Sequence, residues 1–143
     1  MRIIVFGATG GLGQWTWKAA VKAGHEVVAF VRSPHKLDRS DAGFDALEVV
    51  QGDVMDGPVV AAAAKGSEVL VNCTSPAGGN STLELAKSIV THAEAGGVQR
   101  FYMVGGLGAL WVPGTNRTVL VQDWQDPDGM AAVGLSPEMP REM

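Results

Sequence analysis

One cysteine, Cys73, stands in a chain of 143 residues. A disulfide framework and a cysteine-rich zinc site are both excluded. The three histidines, His25, His35 and His92, are far apart and form no His-x-x-x-His pair. No metal site is expected. A Gly-x-Ser-x-Gly elbow is missing, so a hydrolase triad has no anchor. Charged residues make up only 18% and the formal net charge is −4. That leaves no basic excess to neutralise phosphates along a duplex, and nucleic acid is not an expected partner. Long apolar runs are lacking too. None approaches the roughly 20 residues of a membrane helix, so no membrane partner is expected. The opening run Ile3–Phe6 is too short for the core of a signal peptide. These absences together point to a soluble, reduced, cytoplasmic protein.

What the sequence does hold is apolar residues, 46% of the chain, and 19 glycines. A chain of this length and composition can bury a core as one domain. Short continuous apolar runs alternate with helical patterns. Residues 3–6, 27–31, 47–50, 69–73 and 101–104 read as strands buried on both faces. Gly11 to Ala23 reads as a helix with Leu12, Trp15, Ala19 and Ala23 on its buried face, stopped by Gly24. Pro58 begins a second helix. Ser81 and Glu84 form a capping box for a third, with Leu85, Ala86, Ile89, Val90 and Ala93 as its stripe. The link from Arg32 to Ala46 is polar and holds a short helix or none. Alternating strands and helices argue an α/β fold: a doubly wound parallel sheet of about five strands in three layers. Beyond about Leu107 the pattern changes. Four of the seven prolines fall there, and no long amphipathic helix follows.

The informative segment is Gly7-Ala8-Thr9-Gly10-Gly11-Leu12-Gly13, where the first strand hands over to the first helix. A phosphate bound there needs bare backbone and the unpaired N–H groups of a helix start. Gly7 lets the chain turn, Gly10 lets a pyrophosphate approach, and Gly13 lets the helix pack on the strand. The context of strand, turn, helix and second strand is what such a motif requires.

The end of the second strand decides between the two nicotinamide cofactors. An acidic residue bonds the ribose 2′-hydroxyl, whereas an arginine accommodates a 2′-phosphate. Here the position falls on Val31-Arg32-Ser33, with His35, Lys36 and Arg39 close behind. Arg32 matches phosphate oxygens with paired hydrogen bonds. NADP(H) is therefore expected over NAD(H).

The spacing Gly-x-x-Gly-x-x-Gly resembles the extended and atypical short-chain dehydrogenases/reductases. Residues 32–37, the Gly52-Asp53-Val54 loop and residues 97–101 extend that likeness to the NmrA-like atypical short-chain reductases. Within that family the chain resembles NAD(P)H-dependent flavin reductases and the related biliverdin-IXβ reductases. The likeness covers residues 1–112, an NAD(P)-binding Rossmann-like domain, and leaves 113–143 as a weakly structured tail of the same domain. The resemblance implies that Asp53 and Val54 contact the adenine. It also implies that the nicotinamide lies near Thr74, Ser75 and Pro76 and near Gly105 and Gly106. Relatives of this type are longer, so the chain is either a shortened member or a truncated product. Its fifth strand would leave an apolar edge to be covered by residues 107–133 or by another chain, giving a homodimer.

Typical short-chain dehydrogenases use a Tyr-x-x-x-Lys pair. The only tyrosine, Tyr102, is followed at that spacing by Gly106 and reads as a packing residue. Cys73 likewise reads as a small core residue. A flavin accepts hydride without a dedicated protein acid. The first expectation is thus an NADP(H)-dependent oxidoreductase that passes hydride to a small planar acceptor, a flavin or a quinone-like molecule. Gly7, Thr9, Gly10, Gly11, Leu12 and Gly13 would hold the pyrophosphate and Arg32 the 2′-phosphate. Ser75 is the candidate catalytic hydroxyl. The alternative is a non-catalytic NADP(H)-binding redox sensor.

Overall fold

In a computed structural model the described residues are 1–75 and 81–104. Five strands, β1 (Arg2–Phe6), β2 (Glu26–Val31), β3 (Leu47–Gln51), β4 (Val69–Asn72) and β5 (Arg100–Met103), form one sheet. All pairings are parallel and the order is β3-β2-β1-β4-β5. Helices α1 (Gly11–Lys22), α2 (Gly57–Ala64) and α3 (Thr82–Ala95) connect the strands. The link between β2 and β3 carries two single 3-10 turns, Pro34–Lys36 and Phe44–Ala46.

The side chains of β1 and β2 alternate between two cores. Ile4, Phe6, Val28 and Phe30 join Val60, Leu85, Ile89 and Ala93 from α2 and α3. Ile3, Val5, Val27, Ala29 and Val31 join Trp17 from α1 on the other face. Burial on both faces is why these strands read as unbroken apolar runs. The strand order reverses between β1 and β4, which opens a crevice above their carboxyl ends.

The face of α1 differs from the sequence expectation. Trp15 is 75% exposed and Leu12 is 51% exposed; Ala19 and Ala23 are exposed as well. Gly13 and Trp17 are buried instead, with Ala20 and Val21 packed beside them. The cause is Gly13. A Cβ there would collide with the Gly7 carbonyl, so the bare side of the helix must face β1. That contact rotates α1 and sends the Leu12–Trp15 side to solvent.

On α3 the expected stripe holds: Leu85, Ile89 and Ala93 are buried, and Ala86 and Val90 half-buried. Tyr102 differs, standing 57% exposed on the edge strand β5 rather than packed. The proposed tail, residues 113–143, lies outside the described residues.

Candidate functional site

A cavity of about 340 Å³ opens over the carboxyl ends of the strands. Four chain segments build it: Gly7–Gly10 after β1, the Phe30–Lys36 stretch at the end of β2, Gly52–Val54 after β3, and Cys73–Ser75 after β4. Leu85 of α3 closes one side.

The first segment is a tight turn. Gly7 has φ of 73°, a conformation that favours glycine. Its carbonyl accepts the Gly10 N–H at 3.0 Å. A Cβ on Gly7 would come within 2.7 Å of the Cys73 carbonyl, so the chain just beyond β1 approaches the chain just beyond β4 only because that side chain is missing. Gly10 caps α1 without any side-chain hydrogen bond. Within this helix start, Gln14 is the first residue whose N–H finds a backbone acceptor, the Gly10 carbonyl at 2.8 Å. The preceding amides of the first turn keep their partial positive charge.

The second segment is basic. Arg32, Ser33 and Lys36 line the cavity together. The Gln51 side chain donates to the Arg32 carbonyl at 3.2 Å, which ties this segment to the end of β3. Buried Leu37 anchors the other end of the turn. One residue on, Asp38 accepts from Lys18 of α1 at 2.6 Å. Among the described residues no carboxylate pairs with Arg32 or Lys36.

The third segment folds on itself. Asp53 Oδ1 accepts the Met55 N–H at 2.9 Å, and the Asp53 carbonyl accepts the Asp56 N–H at 3.0 Å. The Val54 side chain is buried against the α2–α3 core. Its carbonyl accepts the Ser88 hydroxyl at 2.7 Å.

In the fourth segment Thr74 donates through both its N–H and its hydroxyl to Oδ1 of buried Asn72, at 2.9 and 2.8 Å. The Thr74 hydroxyl proton is committed, so toward a ligand this group only accepts. Cys73 is half-buried, with Sγ 3.5 Å from the Thr16 hydroxyl. It packs against the α1-side core, as expected, and also borders the cavity.

The structure thus brings Gly7, Thr9, Gly10, Arg32, Asp53, Val54, Thr74 and Ser75 to one cavity. Gly11, Leu12 and Gly13 do not line it. Gly13 serves the packing of α1, and the Leu12 side chain faces solvent. Pro76, Gly105 and Gly106 lie outside the described residues. Sequence reasoning assigned no site role to Phe30, Gly52, Cys73 or Leu85, which also line the cavity. Phe30 read as core. The available signal was its place at the carboxyl end of a strand. A Cβ on Gly52 would lie 2.6 Å from the Phe30 ring, so that glycine makes room for the ring.

Comparison with known proteins places the chain in a family. The family model described as NAD(P)H-binding matches residues 7–132. The chain belongs to this NAD(P)H-binding family. It is 28% identical over 144 residues to the uncharacterized protein YwnB of Bacillus subtilis strain 168, covering 99% of this chain and 58% of that protein. ChuY, an anaerobillin reductase from Escherichia coli O157:H7, superposes with a TM-score of 0.66 at 25% identity, covering 94% of this chain and 60% of that one. The NADPH-dependent quinone oxidoreductase QOR2 of Escherichia coli, solved with NADPH, gives a TM-score of 0.62 at 28% identity. That match covers 73% of this chain and 37% of that one. The chain spans less than two thirds of the length of each.

Proposed function

We propose that the protein is an NADP(H)-dependent oxidoreductase that passes hydride to a small planar acceptor such as a flavin or a quinone. The observation that carries the reading is the convergence on one cavity of a bare-backbone turn at the α1 start with Arg32 and Lys36, which pair with no carboxylate among the described residues.

The cavity fits the cofactor by exclusion. A side chain at Gly7 would meet the Cys73 carbonyl, and one at Gly10 would come within 3.3 Å of the Gly7 carbonyl. Around these two glycines the wall is bare backbone, and the Gly10 end of α1 would receive a diphosphate there. Arg32 offers a planar fork to a 2′-phosphate, with the Ser33 hydroxyl and the Lys36 ammonium beside it. Asp53 spends Oδ1 on its own turn and keeps Oδ2 to accept the amino group of an adenine.

Bound nicotinamide supplies the hydride, and the chain's contribution is to place the ring. Thr74 would accept from that half of the ligand and Ser75 would donate to it. Tyr102 is no part of the cavity wall, which accords with an acceptor that takes its proton from water. The likeness to an anaerobillin reductase and to an NADPH-dependent quinone oxidoreductase supports this choice of acceptor.

The test is a titration of NADPH against NADH, followed by NADPH consumption over a panel of flavins and quinones. Tighter binding of NADPH, lost selectively in Arg32→Glu, is expected. Equal loss for the two cofactors removes Arg32 from the role. Binding without turnover over the whole panel replaces the enzyme with a redox sensor.

A further inference from the structure

We infer that Ser88 of α3 is a positioning residue for the adenine end of the site. The inference rests on the cofactor reading above and deepens it. Ser88 lies 34 residues from Val54 in the chain, yet its hydroxyl donates to the Val54 carbonyl at 2.7 Å. Val54 sits in the loop that carries Asp53, and both line the cavity. Leu85, three residues before Ser88 on the same helix face, lines it too. The helix therefore supplies part of the cavity wall and holds the backbone of the adjoining loop.

The hydroxyl does not choose its direction alone. His92 Nδ1 lies 2.8 Å from the Ser88 carbonyl and 3.3 Å from the Ser88 hydroxyl oxygen. A carbonyl only accepts, so Nδ1 carries the proton. With that proton shared toward Ser88 Oγ, the hydroxyl's own hydrogen is left for Val54. The ring lies against the bare backbone of Gly57 at the start of α2, where a Cβ would collide with it. The chain from Gly57 through His92 and Ser88 to Val54 adds a tether to a loop otherwise held by its own turn hydrogen bonds, by the Gly52 N–H on the Val31 carbonyl and by the buried Val54 side chain. No contact of Ser88 with the ligand is needed; it acts through the position of Asp53 and Val54.

The experiment measures binding of the two halves of the cofactor separately, adenosine 2′,5′-bisphosphate and reduced nicotinamide mononucleotide. Ser88→Ala is expected to weaken the adenosine half about fivefold to tenfold, the worth of one hydrogen bond. The nicotinamide half should be unchanged. Ser88→Thr, which keeps the hydroxyl, should restore binding. In turnover the KM for NADPH rises while kcat stays. Hydrogen exchange of residues 53–56 in the ligand-free Ser88→Ala protein should quicken, which confirms a loosened loop in a folded chain. Equal loss for both halves, or no loss at all, overturns the role. If the wild-type protein binds neither half, the cofactor reading itself falls and this inference falls with it.

Discussion

The Gly7 carbonyl occupies the space that a side chain on Gly13 would need. The same carbonyl accepts the Gly10 N–H and so closes the turn. One oxygen thus ties the shape of the candidate phosphate cradle to the docking of α1. Gly11, between them, has nothing within 4 Å of where its Cβ would stand. Gly10 and Gly13 both answer to that oxygen, and Gly11 does not.

Gly13→Ala should therefore destabilise the protein by about 2 kcal/mol or more, since the obstacle is backbone and cannot rotate away. Gly11→Ala should change stability by no more than about 0.5 kcal/mol. Urea unfolding of the two variants checks the contrast. Equal losses would mean that the helix start, and not the approach to Gly7, demands glycine.

The sheet was legible because each central strand is buried on both faces, which leaves only apolar residues in a row. The cavity's glycines were legible because they act through local backbone. The phase of α1 was not. Leu12, Trp15, Ala19 and Ala23 form as good a stripe as Gly13, Trp17, Ala20 and Val21, and periodicity cannot choose between them. A glycine contact made the choice, and hydrophobicity does not register it. Ser88 was illegible for another reason. Its hydrogen bond to Val54 spans 34 residues, and a serine at that helix position carries no local signal.

The capping box is local and was read from spacing. Ser81 Oγ accepts the Glu84 N–H at 3.2 Å, and Glu84 Oε2 accepts the Ser81 N–H at 2.8 Å. The backbone hydrogen bond from Ser81, then that from its hydroxyl, holds the Glu84 carboxyl below its ordinary value. Ser81→Ala should cost about 1 kcal/mol. The Glu84 carboxyl should then titrate closer to its ordinary value, as NMR would read. A titration unchanged from wild type would show that the serine hydroxyl adds nothing to the backbone bond.

Lys18 and Asp38 give stability a pH dependence. The Lys18 ammonium, followed by the Ser40 hydroxyl and backbone N–H, lowers the Asp38 carboxyl from 3.8 to about 2. A depressed folded value stabilises above the unfolded one and is lost as acid passes through the folded one. The contribution is thus complete above about pH 4 and disappears toward pH 2. Lys18 is raised above 10.5, chiefly by the Asp38 hydrogen bond, so its share is full below that value and lost in stronger alkali. Asp38→Asn should flatten the acid limb in urea unfolding measured across this window. An acid limb as steep as that of wild type would assign the loss to other carboxylates.

The two tryptophans of α1 separate the alternative faces of that helix. Trp17 is fully buried against β1 and β2, whereas Trp15 stands in solvent. Trp17→Ala should cost about 3–5 kcal/mol. Trp15→Ala should stay within about 0.5 kcal/mol. A third variant isolates the ring from its polar atom. Trp17 Nε1 is buried with no acceptor among the described residues, so the native state already bears the cost of an unmade hydrogen bond. Trp17→Phe removes that cost while keeping most of the apolar volume, and should lose far less than Trp17→Ala. Unfolding midpoints of the three variants measure the order. Were Trp15→Ala the most damaging, α1 would have to be turned with its Leu12–Trp15 side inward. Gly13 would then face away from Gly7, and the bare-backbone cradle would lose the contact that shapes it.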